Sequence, residues 1–505
     1  MDANQFREAA HAAVEDVIKY YESLGERRVV SDVSPGYLRP QLPSGPPQTS
    51  EPFTAIQRDI ANLIIPGLTH WQSPNFMAYY PANASFPSIL GEIYSATFTA
   101  PAFNWLASPA CTELETVVLD WMCELLGLPE CFLSKGEGGG VIQGTASEAI
   151  VVAMVAARER YLRNKCDAEG LEGEAREARM SELKSKLVAL GSDQAHSSTQ
   201  KGALIAGTKF QSVPTKMEDN CALRGEEVRR VIKECKEKGL EPYYLTVTMG
   251  TTGTCATDRF DEISKVVGER GEEKDIWVHV DAAYAGAALV LDEYKHFTKD
   301  WNAFDSFDMN MHKWLLTNFD ASCFFVKRRA NLTHALSINP AYLRNTFTDS
   351  GLVTDYRDWQ IPLGRRFRSL KIWFVLRSYG IEGLQAHIRK HVGFGKLFTS
   401  LLQSRKDLFS ITTEPAFSLN CFTALLDTNE VTKEVYERVN QHGEIFLTST
   451  VVHGVYVIRV VTGSPWTEEK YVRRAFEILV QVAEEVLSGK EDGLGTDLTK
   501  TVLSH

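Results

Sequence analysis

Residues 307–316 read F-D-M-N-M-H-K-W-L-L, and the run after them, T-N-F-D-A-S-C-F-F-V, stays mostly apolar. Lys313 thus stands among residues that favour the interior, where an ammonium is rarely kept without compensation. Either the side chain snorkels, with its stem on the core and its head in water, or it is used as an amine. A lysine in low dielectric gives up its proton readily, and the free amine condenses with a carbonyl. Two other stretches could serve such an amine. I-W-V-H-V-D-A-A-Y-A-G, residues 276–286, reads as a buried strand ending on Asp281, at the strand end where open α/β sheets bind ligands. Its carboxylate either caps the next helix or pairs with a protonated ring nitrogen. G-E-G-G-G-V-I-Q-G-T-A-S-E, residues 136–148, sets glycines before a T-x-x-E capping box at Thr145 and Glu148. It is either a Gly-rich turn or an anion site at a helix N-terminus, offered by Thr145, Ala146 and Ser147. The stretch has neither the G-K-[ST] of a Walker A loop nor a spaced G-x-G-x-x-G.

Positioning these groups requires a sheet with helices between its strands. From about residue 86, helical stretches alternate with short apolar runs (K-L-V-A-L-G, A-L-I-A-G, Y-Y-L-T-V-T-M-G, I-W-V-H-V-D, S-C-F-F-V), the pattern of an α/β domain with a largely parallel sheet. After Trp373 come helices, two strand candidates (N-C-F-T-A-L-L and G-V-Y-V-I-R-V-V) and a terminal helix near 467–487, which predict a smaller α/β unit. Upstream, apolar residues recur at helical spacing from Asn4 to about Leu24, and the proline-bearing stretch between Ser34 and Pro52 excludes helix. Residues 163–185, rich in Glu, Arg and Lys, read as a solvated helix or an excursion, and the last residues, G-K-E-D-G-L-G-T-D-L-T-K, as a loose tail.

Composition narrows the function. A chain of 505 residues, 44% hydrophobic and 24% charged, is long enough for two or three domains. Its net charge of −11, with no basic run, argues against nucleic-acid binding. Nine cysteines without a C-x-x-C pair read as reduced thiols of a cytoplasmic protein. An acidic, amphipathic N-terminus and no 18-residue apolar run predict a chain that is neither secreted nor membrane-spanning.

Taken together, the three stretches supply a phosphate anchor, an acid for a pyridinium and, 32 residues after that acid, an amine for an aldehyde. These are the requirements of pyridoxal 5'-phosphate (PLP), in an order that α/β PLP enzymes use. S-F-D-M-N-M-H-K-W-L-L-T-N-F-D, S-P-A-C-T-E-L-E-T (108–116), S-D-Q-A-H-S-S (192–198), H-V-D-A-A-Y-A-G and Q-I-P-L-G-R-R-F-R-S-L-K (360–371) closely resemble the aromatic L-amino acid decarboxylases, from about residue 4 to 485. The resemblance implies the PLP-dependent transferase fold (fold type I). It would have an N-terminal helical, dimer-wrapping arm (1–85), a large PLP-binding domain on a mostly parallel seven-stranded sheet (86–372) and a small C-terminal α/β domain (373–505).

The resemblance further implies that Lys313 holds PLP covalently, Asp281 pairs with the pyridine nitrogen and His196 lies over the ring. Ala146 and Ser147 would bind phosphate with help from Asn310, and Thr252 and His312 would complete the shell. The substrate ring would sit among Trp71, Tyr79, Tyr80 and Pro81, with Pro101 and Phe103 reaching in from a second subunit of a homodimer. Without the resemblance, the two histidines read as satisfied interior imidazoles and the aromatics as core or interface. Gly364 marks either a backbone position needing φ > 0 or, as the resemblance implies, room for indole or dihydroxyphenyl rings. Tyr342, in a polar loop after the lysine strand, is either a packing anchor or the acid that protonates Cα. The aldehyde synthases of the family carry phenylalanine there. Two departures stand out: Met311 replaces the family's common proline, and A-P-A-F-N-W around Pro101 differs from animal members. The resemblance implies decarboxylation of an aromatic L-amino acid, with an aldehyde synthase or a noncatalytic binding protein as the alternatives.

Overall fold

The computed structural model describes residues 1–338, 343, 345–424 and 429–488. These described residues form two compact units, one within 82–395 and 413–419, the other within 1–81, 396–412 and 420–488.

The first unit is built on seven strands: β1 (Gly139–Gln143), β2 (Leu187–Ser192), β3 (Lys209–Val213), β4 (Glu241–Thr248), β5 (Trp277–Asp281), β6 (Ser306–Asn310) and β7 (Ser322–Val326), in the order β1-β7-β6-β5-β4-β2-β3. Strands β3, β2, β4, β5 and β6 pair in parallel. β7 runs antiparallel to both β6 and β1, so β1 points the same way as β6. The carboxyl ends of β1, β4, β5 and β6 therefore meet at one sheet edge, and with them Gly144–Ser147, Asp281 and Asn310. The expected mostly parallel, seven-stranded α/β sheet is what forms. β1, β2, β5, β6 and β7 are buried along their whole length, as strands covered on both faces must be.

One predicted strand falls elsewhere, and β1 and β6 are not among the apolar runs read from the sequence. A-L-I-A-G lies in the end of the helix Ser198–Ile205 and the turn after it, and the strand is the next segment, β3. As an edge strand β3 needs less burial, so its K-F-Q-S-V does not read as an apolar run. The helix Ala146–Ala168 starts where the capping box placed it. Thr145 Oγ1 accepts from the Glu148 N–H (3.3 Å), but Glu148 Oε2 accepts from the Gly144 N–H (2.9 Å), one residue earlier than a regular box. Its apolar side (Ala149, Ile150, Val152, Ala153, Ala157) packs in one cluster with Val141, Tyr244, Trp277 and Phe324 of the sheet. The charged stretch ends this helix and forms the helix Gly173–Lys186, where Arg179 bridges Glu169 and Glu182.

The second unit carries a four-stranded sheet, β8 (Phe409–Ile411), β9 (Leu419–Ala424), β10 (Thr448–Val452) and β11 (Val455–Val461), in the order β10-β11-β9-β8. The sequence located β9 and β11, while β8 is too short and T-S-T-V-V of β10 too polar to stand out. The helices Ala3–Glu22 and Glu469–Ser488 lie where expected; the first opens on a capping box between Asp2 and Gln5 and buries none of its residues. Among the described residues no helix is long and apolar enough to cross a membrane, and no cluster of side chains could hold a metal ion.

Candidate active site

Lys313 lies in the one-turn helix Met311–Trp314 that leaves the end of β6. That turn is clamped from two sides. The Trp314 ring stacks on Tyr284 (4.6 Å between centroids, 14° between planes) and its Nε1–H donates to His391 Nδ1 at 2.9 Å. The His312 carbonyl accepts from the Asn83 N–H at 2.7 Å. With both neighbours buried, Lys313 projects from a rigid base while part of its own surface still meets solvent. Protein packed around its amine lowers the Lys313 pKa, and the negative charges of Asp281 and Asp308, with the Cys255 thiol, oppose the shift. The snorkelling alternative requires an ordinary ammonium in water, which this surrounding does not provide.

Asp281 ends β5 and is buried; its Oδ1 accepts from the Ala283 N–H at 3.0 Å. His196 sits on the loop after β2 with its ring exposed. Its Nδ1 accepts from the Ser198 N–H (3.2 Å) and lies 2.7 Å from Ser198 Oγ, so a neutral ring carries its proton on Nε2. Burial on one side lowers the His196 pKa; Asp281 raises it and Lys313 lowers it again, which places all three within one electrostatic neighbourhood. His312 is pushed down to about 4, first by burial and then by the Lys313 charge, and its Nδ1 lies 2.9 Å from both the N and the O of Ala321. It is therefore neutral at neutral pH.

Asn310, the last residue of β6, reaches the helix Ala146–Ala168: its Oδ1 accepts from the Ala146 N–H at 3.1 Å. The first amide of the expected anion site is thus engaged by Asn310 itself, and Ser147 is exposed at the next helical position. Thr252 is exposed at the tip of a tight loop after β4. The Thr251 and Gly250 N–H groups both donate to the Ala256 carbonyl at 2.9 Å, and Asp258 holds the loop's far end by accepting from the Thr248 N–H (2.7 Å).

Pro101, Phe103 and Gly364 belong to the same unit. The Pro101 carbonyl accepts from the Arg365 N–H at 2.7 Å, which ties the 101–103 segment to the residue after Gly364. Gly364 does not adopt a positive φ, and a Cβ built on it meets nothing within 4 Å, so the backbone explanation for this glycine falls away. Trp71, Tyr79, Tyr80 and Pro81 are part of the other unit. There Trp71 stacks on Tyr79 (5.6 Å, 15°), and Tyr79 holds a φ of 54° while its N–H donates to Thr448 Oγ1 at 3.2 Å. The Arg459 guanidinium lies over Tyr80 at 5.3 Å. Tyr342 lies outside the described residues.

Residues 35–425 match the family model described as the pyridoxal-dependent decarboxylase conserved domain. The chain belongs to that family. It is 42% identical to the aromatic-L-amino-acid decarboxylase of Rattus norvegicus over 97% of its own length and 100% of that protein. It is 43% identical to the phenylacetaldehyde synthase of Arabidopsis thaliana, covering 96% of this chain and 97% of the other. Its fold superposes on the crystal structure of Oryza sativa TDC with PLP and tryptamine with a TM-score of 0.90, at 37% identity, over 96% of this chain and 99% of that one. The chain is a PLP-dependent decarboxylase by family.

The residues present fit that cofactor. A family member needs an amine of lowered basicity, a buried carboxylate and a polar cradle at one sheet edge, and Lys313, Asp281 and the start of the helix Ala146–Ala168 supply them. Gln143, the last residue of β1, is 1% exposed, and neither of its amide atoms has a partner among the described residues; a polar group docked at these strand ends would satisfy it. Sequence reasoning passed over His279 and Asp308, which are fully buried and bonded to each other at 3.0 Å. The signal was there: His279 and Asp281, like Asp308 and Asn310, are two residues apart on a strand and share its face.

Proposed function

We propose that the chain decarboxylates an aromatic L-amino acid of the tryptophan, 5-hydroxytryptophan, dopa or tyrosine type, releasing the arylalkylamine and carbon dioxide. The observation that carries the reading is Lys313, an amine of lowered basicity on a clamped turn beside a buried carboxylate, within a full-length match to this family.

Bound PLP supplies an aldehyde for an amine and a ring that takes up the electrons released when the carboxylate leaves. Lys313 would hold the cofactor and give it up to the substrate amine. Asp281 would hold a proton on the pyridine nitrogen, and its burial would make such a charge pairing strong. His196 covers the ring face and directs its Nε2–H away from Ser198. His312, being neutral, adds no positive charge beside the lysine. Ala146, Ser147, Asn310 and Thr252 serve the phosphate end. Trp71, Tyr79, Tyr80 and Pro81 meet the substrate ring, with Pro101 and Phe103 contributed by the second subunit. Tyr342 delivers the proton to Cα. The 43% identity to an aldehyde synthase sustains a second reading, in which oxygen intercepts the carbanion before that proton arrives.

The working form is a cytoplasmic homodimer, with residues 1–85 as the wrapping arm, 86–372 as the cofactor domain and 373–505 as the small domain. Its nine free thiols support a reducing compartment. Phe6, Val14 and Ile18 on the helix Ala3–Glu22 are exposed, and so are Leu90, Ile93, Tyr94 and Phe98 on the helix Phe86–Phe98; apolar faces of this kind support a covering partner. Removing residues 1–50 is expected to give aggregated or inactive protein, checked by sedimentation and assay; a soluble, fully active monomer would refute the dimeric site.

The substrate class is tested by offering tryptophan, 5-hydroxytryptophan, tyrosine, dopa, phenylalanine and histidine together to the holoenzyme and identifying amines and aldehydes by mass spectrometry. Amines from tryptophan-type substrates are expected. Because a side chain at 364 meets no steric obstacle, Gly364→Ser should fold normally and lower kcat/KM for tryptophan relative to tyrosine by about tenfold, the scale of one misplaced group in a pocket. An unchanged ratio would remove Gly364 from ring selection.

A further inference from the structure

Beneath Lys313 the sheet buries a second carboxylate that the reaction as described does not use. Asp308 stands on β6 in register with Asp281 on β5, on the same face of the sheet, and is shielded from solvent completely. Its Oδ1 lies 3.0 Å from His279 Nε2, and Ser322 Oγ donates to Oδ2 at 3.4 Å. The other side of His279 is fixed as well. Trp277 Nε1–H can only donate, and it donates to Ser306 Oγ at 2.8 Å, which leaves the Ser306 hydroxyl proton for His279 Nδ1, also at 2.8 Å. The chain of donors thus runs from Trp277 through Ser306 to His279, whose Nε2–H ends on the Asp308 carboxylate. A sheet that buries such a carboxylate without a full counter-ion pays a desolvation cost, and beyond His279 the Lys313 nitrogen is a cationic group that feels the charge.

We propose that Asp308, oriented by His279, is a positioning residue whose buried charge sustains the proton on the Lys313 nitrogen that joins the chain to its cofactor. The inference rests on the assignment of Lys313 as the cofactor lysine. Each neighbouring element bears polar or titratable groups of its own. β4 presents Tyr244, stacked on His279, and β5 presents His279 and Asp281. β7 presents Ser322, while the Cys323 thiol lies on the opposite face with Met309. The turn after β6 presents Lys313, and the Cys255 thiol acts on that same amine. The helix Ala146–Ala168 presents Arg160, which lies over Trp277 and is paired with Asp305, and Tyr161, bonded to Glu241. The polar groups on that helix are thus matched elsewhere, so Asp308 and Asp281 are the carboxylates that face the lysine. The net effect on the Asp308 carboxyl is upward: burial raises its pKa, helped by the Asp281 charge, and the His279 hydrogen bond and the Lys313 charge offset that only in part.

The test is a pH titration of the visible absorbance of the PLP-loaded enzyme, which reports the proton on the lysine–cofactor linkage independently of turnover. Asp308→Asn keeps the shape and removes the charge, and the midpoint should fall by about one pH unit, a tenfold change in proton affinity. His279→Gln retains an N–H donor toward Asp308 and should leave the midpoint within about 0.2 unit of wild type; His279→Leu strips the carboxylate of its donor and should shift it as Asp308→Asn does. An unshifted midpoint in folded, PLP-loaded Asp308→Asn overturns the proposal, as does an equal shift in His279→Gln, which would mark a packing effect. Should Asp308→Asn fail to fold, the contrast between the two His279 variants decides. If Lys313→Ala kept the wild-type yellow absorbance, the fault would lie with the lysine assignment instead.

Discussion

Lys313→Ala is expected to lose the borohydride-trappable link to PLP and to lower turnover by at least about 10⁴-fold, the scale on which removal of a covalent catalyst is felt. The effect should be chemical, since contacts of its neighbours hold the turn. Trp314 stacks on Tyr284 and bonds to His391, and Met311 is buried, whichever side chain stands at 313. The melting temperature of the apo form should therefore stay near wild type. Trapping at another lysine, with a normal rate, would end the assignment.

Tyr342→Phe carries the second large effect, a change of product. If Tyr342 is the acid proposed above, its phenol supplies the proton that makes the amine and a phenyl ring cannot; general acid catalysis of this kind is worth about 10²–10⁴-fold. With the proton withheld, oxygen takes the electrons. Amino acid, O2 and water then yield aldehyde, carbon dioxide, ammonia and hydrogen peroxide, with PLP still bound. Wild type should give amine with little peroxide, and the variant the reverse, measured by coupled peroxide assay and mass spectrometry. Amine at the wild-type rate from the variant would remove Tyr342 from the proton step.

Much of this architecture was legible in the residues themselves. Strands buried on both faces, such as I-W-V-H-V-D and S-C-F-F-V, read as apolar runs because nothing on them needs water, and the T-x-x-E signature located the start of a 23-residue helix. Edge, short and polar strands escaped: β3 and β8 are only partly covered, and β6, though fully buried, carries Ser306, Asp308 and Asn310 and so does not read as an apolar run. At the site, Lys313 and Asp281 were visible as charges inside apolar runs. What a linear reading could not supply was pairing across strands. That Asp308 lies in register with Asp281, and that Asn310 reaches Ala146, are contacts between residues 27 and 164 positions apart. The orientation of Gly364 was likewise invisible, since a glycine is written the same way whether its backbone or its missing side chain matters.

The reversed strand β7 also bears on how the site is assembled in time. β6 and β7 are neighbours both in the sheet and along the chain, so residues 311–321, which carry the lysine, are closed by contacts of short sequence separation. The helix Ala146–Ala168, proposed above to serve the phosphate end, joins that frame through pairings that span well over a hundred residues, such as Asn310 to Ala146 and β1 to β7. Loop-closure entropy favours the nearer contacts first. The amine's seat is thus framed by local folding, and competence to retain a phosphorylated ligand arrives last, when the chain ends its longest search.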